Sequence, residues 1–360
     1  MKVIMQGHIT PEAPLTVSPP GAPEPYGANI PGAAQMSGLP KMRLYQEEQG
    51  GFNLTPYCPA ATIRGTIRRM ARDVLFEGVG EQWSLELHRI LTVGGLQQSG
   101  ENIKIDIQDY LSQLKANPFL SLFGAAVPDW VGGELAVGHA IPDTPHGFRP
   151  DVILGVRTDS IDRNPEESKM LSPEGLEKYR RIQQLFSEWD ELNVKWKDAK
   201  TAEDEEREAE IQKEINRLSA ELRQLYGSSA DEETGGKVTK ERQISGYEAI
   251  PVGTPLKHRF ILNNADMRQL GLFIKALEKF ADSPYLGAKT AHGCGVVAGQ
   301  WNVRIISDNG SEQGTCTLKP FEGVSFEGRA RAVADEAVSS WEQYVSGISV
   351  ADLETVKDFG

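Results

Sequence analysis

Two groups of residues hold most of the chemistry this sequence offers. Arg64, Arg68 and Arg72 recur at i, i+4 and i+8, with Arg69 beside them and Thr62 just before. A spacing of four places them on one helical face, and a guanidinium fork binds phosphate oxygens bidentately. Far along the chain, LGAKTAHGCGVV at 286–297 sets Lys289, Thr290 and His292 among Gly287, Gly293 and Gly295. A glycine-rich turn presents backbone N–H groups to anions and lets another backbone approach closely. It is not a Walker A loop, because the GxxxxGK[ST] spacing does not occur. Each group also has a plain reading: a solvated helix face for the arginines, a turn into a strand for the glycines.

Metal and acid–base chemistry find less support. His8, His88, His139, His146, His258 and His292 show neither HxxH nor HExxH spacing. His139, Asp143 and His146 sit in a Pro-rich stretch without the further ligands of a zinc site. Cys58, Cys294 and Cys316 are odd in number and far apart, which fits a reducing cytoplasm and neither a disulfide framework nor a CxxC site. No metal and no cofactor are expected. His8 or His292 is the candidate general base should the chain cleave RNA, but no nucleophile partner is readable nearby.

The elements that position these residues follow from periodicity. Val3–Thr10 reads as a strand, and residues 11–57, rich in Pro and Gly, as a long loop. Ile63, Ile67, Met70 and Val74 form the apolar stripe of a helix over Ala60–Glu77 that carries the arginines. Residues 84–117 suggest short helices and loops, Pro118–Gly124 an apolar knot, and Leu135–Ile141 and Asp151–Thr158 strands. Tyr179, Ile182, Phe186, Trp189 and Trp196 answer Ile211, Ile215, Leu218, Leu222 and Leu225 in an antiparallel helical hairpin, closed by a polar linker at 227–236. Strands are expected at Glu248–Val252 and His258–Leu262. A helix capped by Asn264 or Asp266 then runs to about Asp282, and a last strand over Gly299–Ile306 and a helix over 329–346 end the chain. Without the hairpin this is strand–helix–strand–strand–helix–strand: an α+β, split βαβ, ferredoxin-like (RRM-like) palm. The palm takes residues 1–164 and 236–360, and the acidic insertion 165–235.

Charge divides the same way. The formal net charge of −13 argues against a simple basic nucleic-acid binder. Yet residues 165–235 hold 19 acidic and 11 basic residues, while the first 72 residues hold four acids and seven bases. The chain is therefore an acidic arm on a body with a basic N-terminal third. No apolar run approaches ~18 residues, and the first ten residues lack a signal-peptide pattern, so a cytoplasmic protein without a membrane contact is expected.

Five segments together resemble the RAMP superfamily, in the order that family shows. YCPAATIRGTIRR at 57–69 is similar to its "IPGSSLKGxxR" element. LSLFG at 120–124 with GELAVGHAIPD at 133–143 resembles the LFG…G-x-L-x-V-x-x-A element of type III CRISPR backbone subunits. SIDR at 160–163, AIPVGTPLKHRFIL at 249–262 and the glycine loop complete the series. The resemblance implies a CRISPR effector-complex backbone subunit that polymerises along a guide RNA in a helical filament with other effector-complex subunits. It presents the guide for pairing with a target nucleic acid. A thumb hairpin is implied around 157–170 or 236–247, and an RNA groove lined by Thr62, Arg64, Arg68, Arg69, Gly287, Lys289, Thr290, His292, Gly293 and Gly295. Subunits of that kind that cut target RNA carry an Asp between the first strand and first helix, whereas residues 11–57 contain none. The departure implies RNA binding without cleavage, most like the type IV backbone protein. The rival readings are a type III-like target-RNA nuclease, a RAMP endoribonuclease that processes repeat RNA, and a coiled-coil adaptor built on the helical hairpin.

Overall fold

The computed structural model describes residues 1–17, 33–46, 50–94, 117–125, 132–144, 148–157, 169–202, 204–226, 243–308 and 310–354. It divides into two compact units. One holds Met1–Ala28, Met36–Ile153 and Tyr247–Gly360, the other Asn29–Gln35 and Leu154–Gly246. The strands are β1 (Lys2–Pro11), β2 (Ala33–Ser37), β3 (Lys41–Gln46), β4 (Gly51–Pro56), β5 (Leu135–Val137), β6 (Ile141–Pro142) and β7 (Asp151–Arg157). They continue as β8 (Gln243–Ala249), β9 (Leu256–Leu262), β10 (Val297–Ser307), β11 (Gly310–Lys319) and β12 (Gly323–Gly328). The helices are α1 (Ala60–Val79), α2 (Leu85–Val93), α3 (Pro118–Phe123), α4 (Pro173–Thr201), α5 (Glu205–Tyr226), α6 (Met267–Asp282), α7 (Ala330–Val345) and α8 (Val350–Glu354).

The first unit is built on one antiparallel sheet in the order β12-β11-β10-β1-β9-β5, with β6 also on β9. Period-two alternation decides its faces. Val3, Met5 and Ile9 of β1, Leu256, Phe260 and Leu262 of β9, and Trp301, Val303 and Ile305 of β10 are buried with Ile63 and Ile67 of α1 and Leu270, Phe273, Leu277 and Phe280 of α6. Trp341 of α7 joins the same core. Trp301 lies over Gly299, where a Cβ would collide with the indole ring. Truncating a buried aromatic of this kind costs about 3–5 kcal/mol. The cap of α6 is Asp266, in a reciprocal capping box with Gln269. The alternate residues of the sheet form an open, polar face.

The second unit contains the hairpin of α4 and α5; the three strands of the sheet β2-β8-β7 each belong to it in part. Ser172 caps α4 by accepting from the Gly175 N–H at 3.1 Å. Ile182, Leu185 and Phe186 pack against Leu218 and Leu222, and Ala199 against Ile211 and Ile215, with Trp189 and Trp196 partly buried. Arg181 and Glu221 pair across the hairpin at 2.5 Å.

Three departures from the sequence reading are informative. Part of the expected loop at 11–57 is the hairpin β3–β4, with Tyr45 opposite Phe52. The expected strand 135–141 is broken into β5 and β6. Two strands, β11 and β12, follow β10 where none is expected. The SIDR segment, the 227–236 linker and most of both thumb ranges lie outside the described residues. Among the described residues no helix is long and apolar enough to cross a membrane.

Candidate nucleic-acid interface

The start of α1 is shaped by what its cap cannot do. Pro59 occupies the N-cap and offers no side-chain acceptor. The Ala60 N–H therefore donates to His139 Nδ1 at 3.0 Å. His139 reaches it through a β-bulge. Val137 pairs with Phe260 and Ile141 with Lys257, so three residues face two. The extra residue re-aims the chain, and Ala140 bridges to Cys58 just before the helix. Tyr57 packs edge-on to His139 at 5.0 Å.

The arginine stripe turns out to be largely structural. Arg68 is 6% exposed. Its Nε donates to the Leu91 carbonyl at 2.7 Å and Nη2 to the Ile90 carbonyl at 2.6 Å, at the C-terminus of α2. Its Nη1 donates to the Phe123 and Gly124 carbonyls at 3.1 Å each, at the end of α3. One cation thus binds carbonyls at two helix ends, where the helix dipole favours positive charge. Burial, with the neighbouring charge of Arg64, lowers its pKa to about 10. The expectation that Arg68 holds phosphate is corrected, because four of its five donors are spent on carbonyls. Arg64 is half-buried and donates to the Phe123 carbonyl at 2.6 Å, so it is mainly an anchor too. Arg72 pairs with Asp73 at 2.7 Å and Thr92 Oγ1 at 3.0 Å. Arg69 is exposed and, among the described residues, is hydrogen-bonded within its own helix, at Thr66 Oγ1, 3.1 Å. Thr62 is half-buried in the third helical position.

The glycine loop is corrected in the same way. Gly287 (φ +89°) and Gly295 (φ +92°) have left-handed backbones, and a Cβ would strike the Thr16 carbonyl oxygen at the first and the Leu286 carbonyl oxygen at the second. Their missing side chains accommodate the protein's own chain. Gly293 (φ +75°) faces open space at the exposed tip. Thr290 and His292 are exposed in a single 3-10 turn. Lys289 itself has φ +56°, held by His292 N–H donating to its carbonyl at 2.9 Å. Its ammonium lies 5.0 Å from the centre of the Tyr247 ring, whose hydroxyl meets Cys294 Sγ at 3.3 Å. Burial, then Cys294, pushes the Tyr247 hydroxyl up to about 12. Tyr247 was missed in the sequence because it positions Lys289 from 42 residues away, with no local pattern.

Helix start and glycine loop do share one end of the sheet. Ala140 precedes β6, which pairs with the first residues of β9, while the loop leads into Val297, the partner of Pro11. Three strand spacings separate them, about 14 Å. The base of the β3–β4 hairpin lies there as well, since Tyr57 N–H donates to Pro40 at 3.1 Å. The hairpin exposes Tyr45 (58%), Phe52 (69%) and Leu54 (54%), in a stretch whose sequence reads as a loop.

Beside this end, the open face of the sheet forms a cleft of about 790 Å³ lined by Gln6, His8, His139, Lys257, Arg259, Gln300 and Asn302 among others. Asp143 lies at its rim, 2.7 Å from Lys257 Nζ and 3.7 Å from His8 Nε2. The Lys257 hydrogen bond, with both neighbouring charges, holds its carboxyl below the usual range. His146 lies outside the described residues, and among those described no three acidic, His or Cys side chains cluster for a metal.

No curated protein matches the chain. Among solved structures, one titled "Type IV-B CRISPR Complex" is similar at 14% identity and TM-score 0.43, covering 82% of this chain and 88% of that one. The family model of the RAMP superfamily matches residues 43–298, a span that runs from β3 through α1 and the glycine loop into β10. The chain belongs to the RAMP superfamily.

Proposed function

We propose that this protein is a non-cleaving, guide-RNA-binding backbone subunit of a CRISPR effector complex. Membership of the RAMP superfamily over residues 43–298 is the observation that carries this reading. The antiparallel strand order β10-β1-β9-β5 supports reading the palm as ferredoxin-like. The guide would run along the sheet end where Arg69, Lys289, Thr290, His292 and the tip at Gly293 are presented. Arg69 and Lys289 neutralise phosphates, and Tyr45 and Phe52 offer rings to bases. Further copies of this chain would continue the filament, and other subunits and the target would join through it. The absence of Asp from residues 11–57 supports binding without cutting.

Co-expression with a guide RNA tests this. The purified particle should carry RNA, read as a raised A260/A280 ratio, at a mass of several subunits. Recovery as an RNA-free monomer would refute the reading. Cutting of guide-paired RNA that Mg²⁺ supports and EDTA stops would instead favour the type III-like nuclease.

A second reading has one observation in its favour. His8 has a carboxylate partner, Asp143, and a cation, Lys257, beside it in the cleft. A base, its orienting acid and a phosphate-binding amine suit metal-independent attack by a 2′-hydroxyl. Cleavage of repeat RNA in EDTA, lost in His8→Ala, would establish it.

A further inference from the structure

We infer that the open face of the central sheet is a second nucleic-acid contact surface, which holds a single-stranded segment by neutral hydrogen bonds across the strands. The inference rests on the reading of the chain as an RNA-binding subunit and names a surface separate from the α1–glycine-loop end.

Strand register places the face. Gln6 is paired with Arg259 on one side and Asn302 on the other, and Asn302 with Thr315 beyond it. Directly paired residues of antiparallel strands share a face, so Arg259, Gln6, Asn302 and Thr315 form one row across four strands. Gln300 and Arg304 lie two residues either side of Asn302, on the same face. Gln6, Arg259, Gln300, Asn302 and Arg304 are all exposed. The opposite face is already filled by α1 and α6, so these side chains are not part of a core.

The chemistry selects the occupant. A second layer of protein secondary structure needs a broadly apolar face, whereas this row is amide, hydroxyl and guanidinium, with the pair Ile4 and Ile261 beside it. The four-strand row itself carries no carboxylate; Glu327, the partner of Thr315, marks its outer end on β12, and Asp143 is engaged by Lys257 at 2.7 Å. Asn and Gln side chains donate and accept at once, as base edges and ribose hydroxyls require, while guanidinium planes pair with phosphates and stack on bases. Among the described residues Arg259 and Arg304 have no ion-pair partner. A strand gripped this way has a shallow salt dependence, because only two cations replace counterions. At about 0.7 per phosphate for single strands, they account for a log–log slope of about 1.4.

The full chain, freed of RNA, is titrated with a 5′-fluorescein single-stranded RNA of mixed sequence across a salt series. Three variants are compared: Arg259→Gln with Arg304→Gln, Gln6→Ala with Asn302→Ala, and Lys289→Ala. Circular dichroism melting checks that the exposed substitutions leave the fold intact. The arginine pair should weaken binding about tenfold and lower the salt slope by about 1.4. The amide pair should weaken binding with the slope unchanged. A 4-thiouridine RNA should crosslink to the peptide around Gln300–Arg304. Native affinity in both sheet variants, with loss only in Lys289→Ala, would overturn the inference and leave the functional reading standing. A native protein that binds no RNA would overturn both. Variants that bind RNA normally but stop self-associating would assign the face to an acidic segment of a second copy, and the inference falls.

Discussion

The Nη2 of Arg68 donates to the carbonyl oxygen of Ile90 at 2.6 Å, so a residue spaced for phosphate contact instead closes the end of a helix. The same guanidinium reaches the end of α3 through Phe123 and Gly124. Two short helices, of nine and six residues, are tied to α1 by one side chain.

Replacing Arg68 therefore acts on stability. Arg68→Met keeps the length and removes all four charge-assisted bonds; the Ile90 carbonyl keeps the Gly94 N–H and the Phe123 carbonyl keeps Arg64, while the Leu91 and Gly124 carbonyls lose this donor. Charge-assisted bonds of this kind are worth about 1.5–3 kcal/mol each and are not additive, so a loss of about 3 kcal/mol or more is expected. Urea unfolding measures it. Arg69→Ala, on the exposed side, should change the unfolding free energy by less than about 0.5 kcal/mol while weakening RNA binding. A stable Arg68→Met protein that has lost RNA would reverse the assignment of the two residues.

The glycine loop makes a parallel prediction. Gly287→Ala and Gly295→Ala each push a Cβ into a backbone carbonyl oxygen, of Thr16 and Leu286 respectively, at a positive φ. Both should lower the melting temperature clearly, as strained left-handed positions do. Gly293→Ala meets nothing within 4 Å and pays only for its φ of +75°, a cost of about 1 kcal/mol. Equal melting temperatures for all three variants would contradict the packing described for the loop.

These two cases also show what a sequence can carry. Helical spacing placed Ile63, Ile67 and Val74 in the core correctly, because an apolar stripe needs no knowledge of its partner. It also placed the arginines on one face, but it cannot say what covers that face. The cover comes from Ile90, Leu91, Phe123 and Gly124, which no local pattern links to residue 68. Gly287 likewise answers to Thr16, at the far end of the chain. The strands β11 and β12 escaped because only Cys316 and Leu318 of β11 are buried, too few for a period of two to stand out. By contrast, the hairpin of α4 and α5 was legible since both its stripes are local and long.

His258 gives the pH prediction. It is 4% exposed in β9, and its Nδ1 accepts from Trp301 Nε1 at 3.3 Å. Burial lowers its pKa from 6.5 to about 3. The folded state keeps the neutral ring while the unfolded state takes up a proton below pH 6.5, so this contribution to stability is complete above that pH and is lost as pH falls toward 3. The slope approaches about 1.4 kcal/mol per pH unit between those limits. His258→Gln retains an acceptor for Trp301 and does not titrate. Urea midpoints at neutral and mildly acidic pH should show a steeper acid loss in the native protein than in the variant. Parallel curves would mean that His258 is protonated within the fold.

The hairpin β3–β4 supplies the last prediction. Tyr45 and Phe52 face each other across the strands with ring centres 5.3 Å apart, and both are more than half exposed. Water contact with two rings and Leu54 is unfavourable by roughly 25 cal/mol per Å² of apolar surface, so a free hairpin gains from covering them. Its base, Lys41 with Pro56, adjoins the start of α1, and the rings lie four residues further toward its tip, about 13 Å along the strands, where they would meet RNA that extends beyond the Lys289 and Arg69 contacts. Base stacking on an aromatic side chain is worth about 1–3 kcal/mol by alanine substitution and tolerates any sequence. Tyr45→Ala with Phe52→Ala should therefore weaken single-stranded RNA binding at least about fivefold, without changing the salt slope, because no charge is removed. Melting should be unaffected or slightly raised, since neither ring is part of the core. Anisotropy titrations of the double variant at two salt concentrations decide it. Unchanged RNA affinity together with a loss of assembly into larger particles would show that the rings cover a protein neighbour and not a base.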